Sequence, residues 1–109
     1  DARPEHKVAM PDAIRALSHE PAATVGLADR GRLAPGYKAD VNVIDLDRLR
    51  LHTPTVARDL PAGGRRLRQE AEGYEVTVVS GQITYRDGVH TGALPGRLVR
   101  GARAAASAV

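Results

Sequence analysis

The stretch Tyr74-Glu75-Val76-Thr77-Val78-Val79-Ser80-Gly81-Gln82-Ile83-Thr84-Tyr85-Arg86-Asp87-Gly88 decides the class of fold. Tyr74 to Val79 is dense in β-branched and aromatic residues, which suit a pleated strand. Ser80-Gly81 is a two-residue connection, and Gln82 to Arg86 is a second strand closed by Asp87-Gly88. The reading is a β-hairpin over 74–88. With a period of two, Val76 and Val78 share one face of the first strand, and Ile83 and Tyr85 share one face of the second.

Upstream of the hairpin, residues 47–73 are interrupted by Pro54, Pro61, Gly63 and Gly64 and end at Gly73. Arg65 to Glu70 reads as an exposed edge strand or loop, because charge and proline keep edges from pairing with other chains. Ala39 to Leu46 reads as a strand. Neither of its faces is clearly polar, so it is expected to be covered on both sides. Asp29-Arg30-Gly31 and Ala34-Pro35-Gly36 are turn signals. Before them, Pro11 can open a helix that carries Ala13, Ile14 and Leu17 at helical spacing, with Asp12 at its positive end. Pro21 is expected to break that helix and start another, Pro21 to Val25, with Gly26 as terminator. Downstream, Gly92, Pro95-Gly96 and Gly101 mark an irregular tail, and residues 102–109 are expected to fray.

Composition bounds the rest. The 109 residues suit one small domain and hardly two. Leu, Ile and Val make up 24 residues, there is no Phe or Trp, and Tyr37, Tyr74 and Tyr85 are the only aromatics. A thin Val/Leu core follows. An aromatic base-stacking platform is excluded. The net charge of +3 is a weak field that does not point to nucleic acid. Zero cysteines exclude disulfides, thiolate metal sites and a Cys nucleophile. No apolar run reaches membrane-spanning length. Residues 1–6 do not read as a signal peptide, so a cytoplasmic location is expected. The first residue is Asp1 and not Met, and the chain is expected to be a piece of a longer one.

Chemistry-bearing residues are sparse. His6, His19, His52 and His90 lack the close spacing that sets two imidazoles around a metal, and read as surface or turn histidines. Ser18, Ser80 and Ser107 lie in no glycine-flanked elbow, and Ser80 suits a hairpin turn. Asp40, Asp45 and Asp47 read as solvated strand ends paired with Arg48 or Arg50. Gly63-Gly64 reads as a turn and not a phosphate cradle. Arg65, Arg66 and Arg68 are followed by Glu70, Glu72 and Glu75, which cancel much of their field. Arg97, Arg100 and Arg103 belong to the tail.

Pro21-Ala22, Gly26-Leu27, Asp29-Arg30-Gly31, Leu33-Ala34-Pro35-Gly36 and Ala39 to Asp45 together resemble the C-terminal segment of the amidohydrolase superfamily. Asp59-Leu60-Pro61-Ala62-Gly63-Gly64-Arg65-Arg66-Leu67, Ala71-Glu72-Gly73-Tyr74 and Thr91 to Arg97 resemble the D-aminoacylases (N-acyl-D-amino-acid deacylases). The resemblance covers residues 8–101. It implies a parent hydrolase whose zinc-dependent (β/α)8 barrel cleaves an amide, flanked by a composite β-sandwich. In this chain, residues 1–28 would be a helical segment from the end of the barrel, with 8–26 its last helix region. Residues 29–101 would be the C-terminal share of the sandwich, and 102–109 a disordered tail. The fold class expected is thus mainly β with N-terminal helices. The family's metal ligands and catalytic Asp lie upstream, so no position here receives a catalytic, cofactor-binding or metal role. Zinc belongs to the parent.

The expected partners are the missing N-terminal strands and barrel, with neither nucleic acid nor membrane. In isolation, open sheet edges would favour a homodimer, or else the helices would repack onto the β face. The competing reading is a stand-alone β-rich interaction or assembly module without enzymatic activity.

Overall fold

The computed structural model describes residues 4–105. The chain is mainly β, with α-helix confined to its N-terminal part. Where the length suggests one domain, two compact units form: residues up to Asp40 together with those from Pro95 on, and Val41–Leu94.

The first unit opens with a 3-10 turn, Pro4–His6, followed by helices α1 (Met10–Leu17) and α2 (His19–Thr24). Pro21 was expected to start the second helix, yet α2 begins two residues earlier. Pro21 lies in the first turn, where its missing N–H has no intrahelical partner to lose. The exit of α2 is a Schellman motif. Leu27 N–H donates to Ala22 O at 2.8 Å and Gly26 N–H to Ala23 O at 3.1 Å. Gly26 takes φ +78°, which a side chain would resist. α1 buries none of its residues, so Met10, Ile14 and Leu17 remain uncovered in this chain. The tail expectation needs correction at Arg103, whose N–H donates to Gly26 O at 2.8 Å and whose backbone bridges Leu27. Residues 106–109 lie outside the described residues.

The second unit is built on an antiparallel sheet of β1 (Val41–Ile44), β6 (Tyr74–Val79), β7 (Gln82–Arg86) and β8 (Val89–His90), in that spatial order. Between β1 and β6, strands β2 (Arg50–Leu51) and β3 (Thr55–Ala57) run out, and β4 (Arg66–Arg68) and β5 (Ala71–Glu72) run back. Arg50 pairs Glu72 and Leu51 pairs Ala71, then His52 N–H reaches Glu70 O. One residue of slippage later, Thr55 pairs Arg68, Val56 pairs Leu67 and Ala57 pairs Arg66. These four strands are therefore one kinked two-stranded ribbon. Its kink at Pro54 is bridged by Gln69 Nε2, which donates to His52 O at 3.0 Å. The tip turns through Pro61–Gly63, with Ala62 at φ 57°.

Three expectations need correction. The strand expected over 39–46 covers only Val41–Ile44, and Asn42 and Val43 are exposed. It is an edge strand paired only to β6, and each of its faces (Val41 with Val43, Asn42 with Ile44) has an exposed member, so the burial on both faces inferred from its apolar character does not occur. The hairpin of β6 and β7 forms on the Ser80-Gly81 turn, where both residues have positive φ as a type I′ turn requires. Its register shifts, however: Val78 opposes Ile83 while Thr77 opposes Tyr85, with Thr84 bulged between them. Ile83 and Tyr85 therefore lie on opposite faces. Thr84 is buried, and its hydroxyl donates to Thr77 O at 3.2 Å. Finally, Asp87-Gly88 does not end the β structure. Both residues take positive φ and turn the chain into β8, pairing Arg86 with Val89.

The expected Val/Leu core is also absent. Among the described residues, only Ala22, Gly73 and Thr84 are buried.

Gly73 joins the ribbon to the sheet. Its carbonyl accepts Asp45 N–H at 2.8 Å, it takes φ +96°, and a Cβ there would lie 2.7 Å from Leu49 Cα. Gly81, at φ +78°, has open space around it. Alanine at either site pays the left-handed penalty of about 1–2 kcal/mol. Gly73→Ala should lose about 2 kcal/mol beyond Gly81→Ala, because backbone has to move. Urea unfolding followed by circular dichroism measures the difference.

Candidate functional site

In the first unit, the Asp29-Arg30-Gly31 turn gathers the most polar structure. Arg30 donates through Nε and Nη2 to both Asp29 oxygens, at 2.9 and 3.1 Å. The side chains are 17% and 29% exposed, respectively, so this bidentate pair is partly shielded. Asp29 O accepts Lys38 N–H at 2.8 Å, closing the loop between them. Gly31 lies against α2, where a Cβ would approach Ser18 O to 2.8 Å and Ala22 Cβ to 2.9 Å. Two hollows flank this turn. One, of about 260 Å³, is edged by His19, Arg30 and Tyr37. The other, of about 410 Å³, is edged by Ser18, Ala22, Arg30 and Asp40. Arg30 reaches both, but its guanidinium is already engaged by Asp29. The turn works as a clasp between α2 and the following loop.

In the second unit, a cavity of about 280 Å³ at the base of the ribbon is edged by Arg48, Glu72, Glu75 and Asp87. Glu72 also meets His52 Nε2 at 3.2 Å. At the ribbon tip, Arg66 donates through Nε and Nη2 to Asp59 at 2.7 and 2.6 Å. Arg68 meets Glu70 at 2.6 Å.

The two bidentate pairs shift titration in the same sense. The Arg30 guanidinium hydrogen-bonded to Asp29 holds its carboxyl below the usual carboxylate range, and raises Arg30 in turn. Arg66 does the same to Asp59. Both carboxyl shifts are the reverse of the raised value a general acid near neutral pH needs. These are structural pairs that stay charged around neutral pH.

The remaining candidates are scattered. His19 opens α2, His52 sits on the ribbon, and His90 packs edge-on to Tyr85 with centroids 5.1 Å apart. His90 Nδ1 also accepts Gly92 N–H at 3.2 Å. Ser80 occupies the β6–β7 turn, and Ser107 lies outside the described residues. Asp45 accepts Asp47 N–H at 3.1 Å, a local Asx turn, and neither is ion-paired to Arg48 or Arg50 among the described residues. No group of three or more His, Asp or Glu that could hold a metal forms among the described residues. The donors of the described residues thus do not gather into a metal centre. No described helix is long and apolar enough to cross a membrane.

Sequence reading missed the Asp59–Arg66 pair. It set Arg66 against the glutamates that follow, whereas the partner lies seven residues upstream across a closed loop. The available signal was Pro61 and Gly63-Gly64 between them, which mark a turn tight enough to bring the two together.

Comparison with known families adds one finding. The model described as "Amidohydrolase family" matches residues 1–85. No solved structure matches the chain.

The ion pairs set an acid limit. Both carboxyls titrate below their unfolded value of about 3.9, so their contribution is complete above that pH and is lost as pH falls through the lower folded value. Thermal melts from about pH 7 to about pH 2 should show this acid loss. Asp29→Asn and Asp59→Asn should each melt lower near neutrality and show a shallower acid slope.

Proposed function

The chain belongs to the amidohydrolase family, and on that premise we propose that it is the non-catalytic C-terminal portion of a metal-dependent amidohydrolase of the N-acyl-D-amino-acid deacylase kind. The parent reaction is hydrolysis of the amide of an N-acyl-D-amino acid. Zinc in the parent supplies an activated water for that attack. This chain's contribution is to complete a β-sandwich beside the (β/α)8 barrel, and its partners are the barrel and the N-terminal strands of the same enzyme. A cytoplasmic location goes with this reading.

The observation that carries the proposal is the incomplete sheet. β1 is paired on one side only, and Val43, Tyr74 and Tyr85 are exposed on or beside it. α1 likewise presents Ile14 and Leu17 to solvent. A domain layer normally buries such faces against a second layer. The family residues Asp29, Arg30 and Gly31 support the same reading, because the Asp29 and Arg30 side chains are spent on each other and Gly31 lets the turn lie against α2. The later blocks, Asp59 to Leu67 and Thr91 to Arg97, support the deacylase branch through their sequence likeness.

Expression together with an upstream barrel region tests this directly. The joined protein should bind zinc and release the amino acid from N-acetyl-D-amino acids. The 109-residue chain alone should do neither. Turnover by the short chain, or a stoichiometric transition metal in it by elemental analysis, would overturn the proposal.

A further inference from the structure

The sheet of the second unit ends in a turn that is closed by a histidine ring. His90, the last residue of β8, accepts the Gly92 N–H through Nδ1 at 3.2 Å. An imidazole nitrogen accepts a hydrogen bond only while it carries no proton. Histidine is the side chain suited to change charge between about pH 8 and about pH 5. Gly92 takes φ +91°, so the chain bends there in a conformation that favours glycine. The ring nitrogen bonds the backbone two residues on, the same span that an Asn or Asp oxygen bridges in an Asx turn.

The contacts around the ring leave Nδ1 to this one partner. His90 pairs with Tyr85 of β7, and the two rings pack edge-on with centroids 5.1 Å apart. Thr77 of β6 and Asn42 of β1 continue the same row across the sheet, and neither side chain titrates. The titratable or charged side chains on these strands are Tyr74 and Glu75 of β6, Tyr85 and Arg86 of β7, and Asp87 in the turn before β8. Among the described residues His90 forms an ion pair with none of the charged ones. The His90 side chain is exposed, so a proton reaches it from solvent without any opening of the sheet.

The residue between His90 and Gly92 is anchored by groups that carry no titrating proton. Thr91 N–H donates to Thr84 O at 2.9 Å, and its hydroxyl donates to Ile83 O at 2.6 Å. Ala93 N–H in turn reaches Thr91 Oγ1 at 3.4 Å. The chain is thus pinned to β7 as far as Thr91, and the next amide is held by an acceptor that a proton can remove. The second unit ends shortly afterwards, at the exposed Leu94.

We infer that His90 is a pH-operated latch on the segment by which the chain leaves this sheet. Neutral His90 closes the turn on Gly92 N–H. A proton on Nδ1 turns the acceptor into a donor that faces another donor, and the bond is lost. Residues 92–94 are then released, while Thr91 keeps β8 paired to β7. The inference stands on the second unit alone and does not rest on the family reading.

Proton–nitrogen NMR of the 109-residue chain from about pH 8 to about pH 5 tests it. Amide exchange of Gly92, measured against the free-chain rate at the same pH, should lose about five-fold protection as the His90 ring takes up its proton. The Gly92 amide shift should follow the His90 ring resonance with the same midpoint, and Thr91 should stay protected throughout. His90→Asn should protect Gly92 at every pH, because an Asn oxygen accepts over the same span and does not titrate. His90→Ala should leave Gly92 unprotected at every pH. Circular dichroism of both variants confirms that the sheet is retained. Gly92 protection that ignores the His90 titration in the unaltered chain overturns the inference. So does a pH dependence that persists in His90→Asn. Loss of Thr91 protection together with that of Gly92 also overturns it, since the whole of β8 would then be opening.

Discussion

Backbone pairing has to hold the Val41–Leu94 unit together, because so little side-chain surface is withdrawn from water. Of its residues, Gly73 and Thr84 alone are buried. Both are positions where backbone geometry matters more than apolar volume. Gly73 lets two backbones approach, with its carbonyl on Asp45 N–H and its Cα against Leu49. Thr84 occupies a bulge and donates its hydroxyl to Thr77 O. The ladder from β1 through β6 and β7 to β8 follows from these two accommodations. So does the ribbon, which leaves the sheet after β1 and returns to it at Gly73.

The same economy governs the polar groups. Asp29–Arg30 and Asp59–Arg66 are both bidentate; the first joins neighbours in the turn beside α2, and the second closes the loop at the ribbon tip. Planar guanidinium-to-carboxylate forks give direction as well as attraction, and so they fix loops that have little packing behind them. Their exposure keeps the energetic contribution of each modest.

Local chemistry was legible where it depends on neighbours in sequence. The β6–β7 hairpin, its Ser80-Gly81 turn and the stop at Gly26 all appear where strand formers, a two-residue turn and a glycine place them. Asp87-Gly88 carried an equally plain signal, since Asp-Gly suits a type I′ turn. The strand it leads into, Val89–His90, is only two residues long and carries no periodicity of its own. The block from Asp47 to Gly73 was opaque. Its pairs, such as Arg50 with Glu72 and Thr55 with Arg68, are far apart in sequence and interrupted by Pro54, so no local periodicity marks them.

Sequence alone was enough to show that the chain is mainly β and that α-helix is confined to its N-terminal part. Those properties follow from residue type and short-range spacing, which act before any tertiary contact forms. Only the tertiary structure decided that β1 is an edge strand, that Ile83 and Tyr85 part to opposite faces, and that residues 50–72 fold back as a ribbon. A single bulge or one residue of slippage inverts the side on which every later residue of a strand projects. That slip is set by hydrogen bonds between distant backbones, and composition carries no record of it.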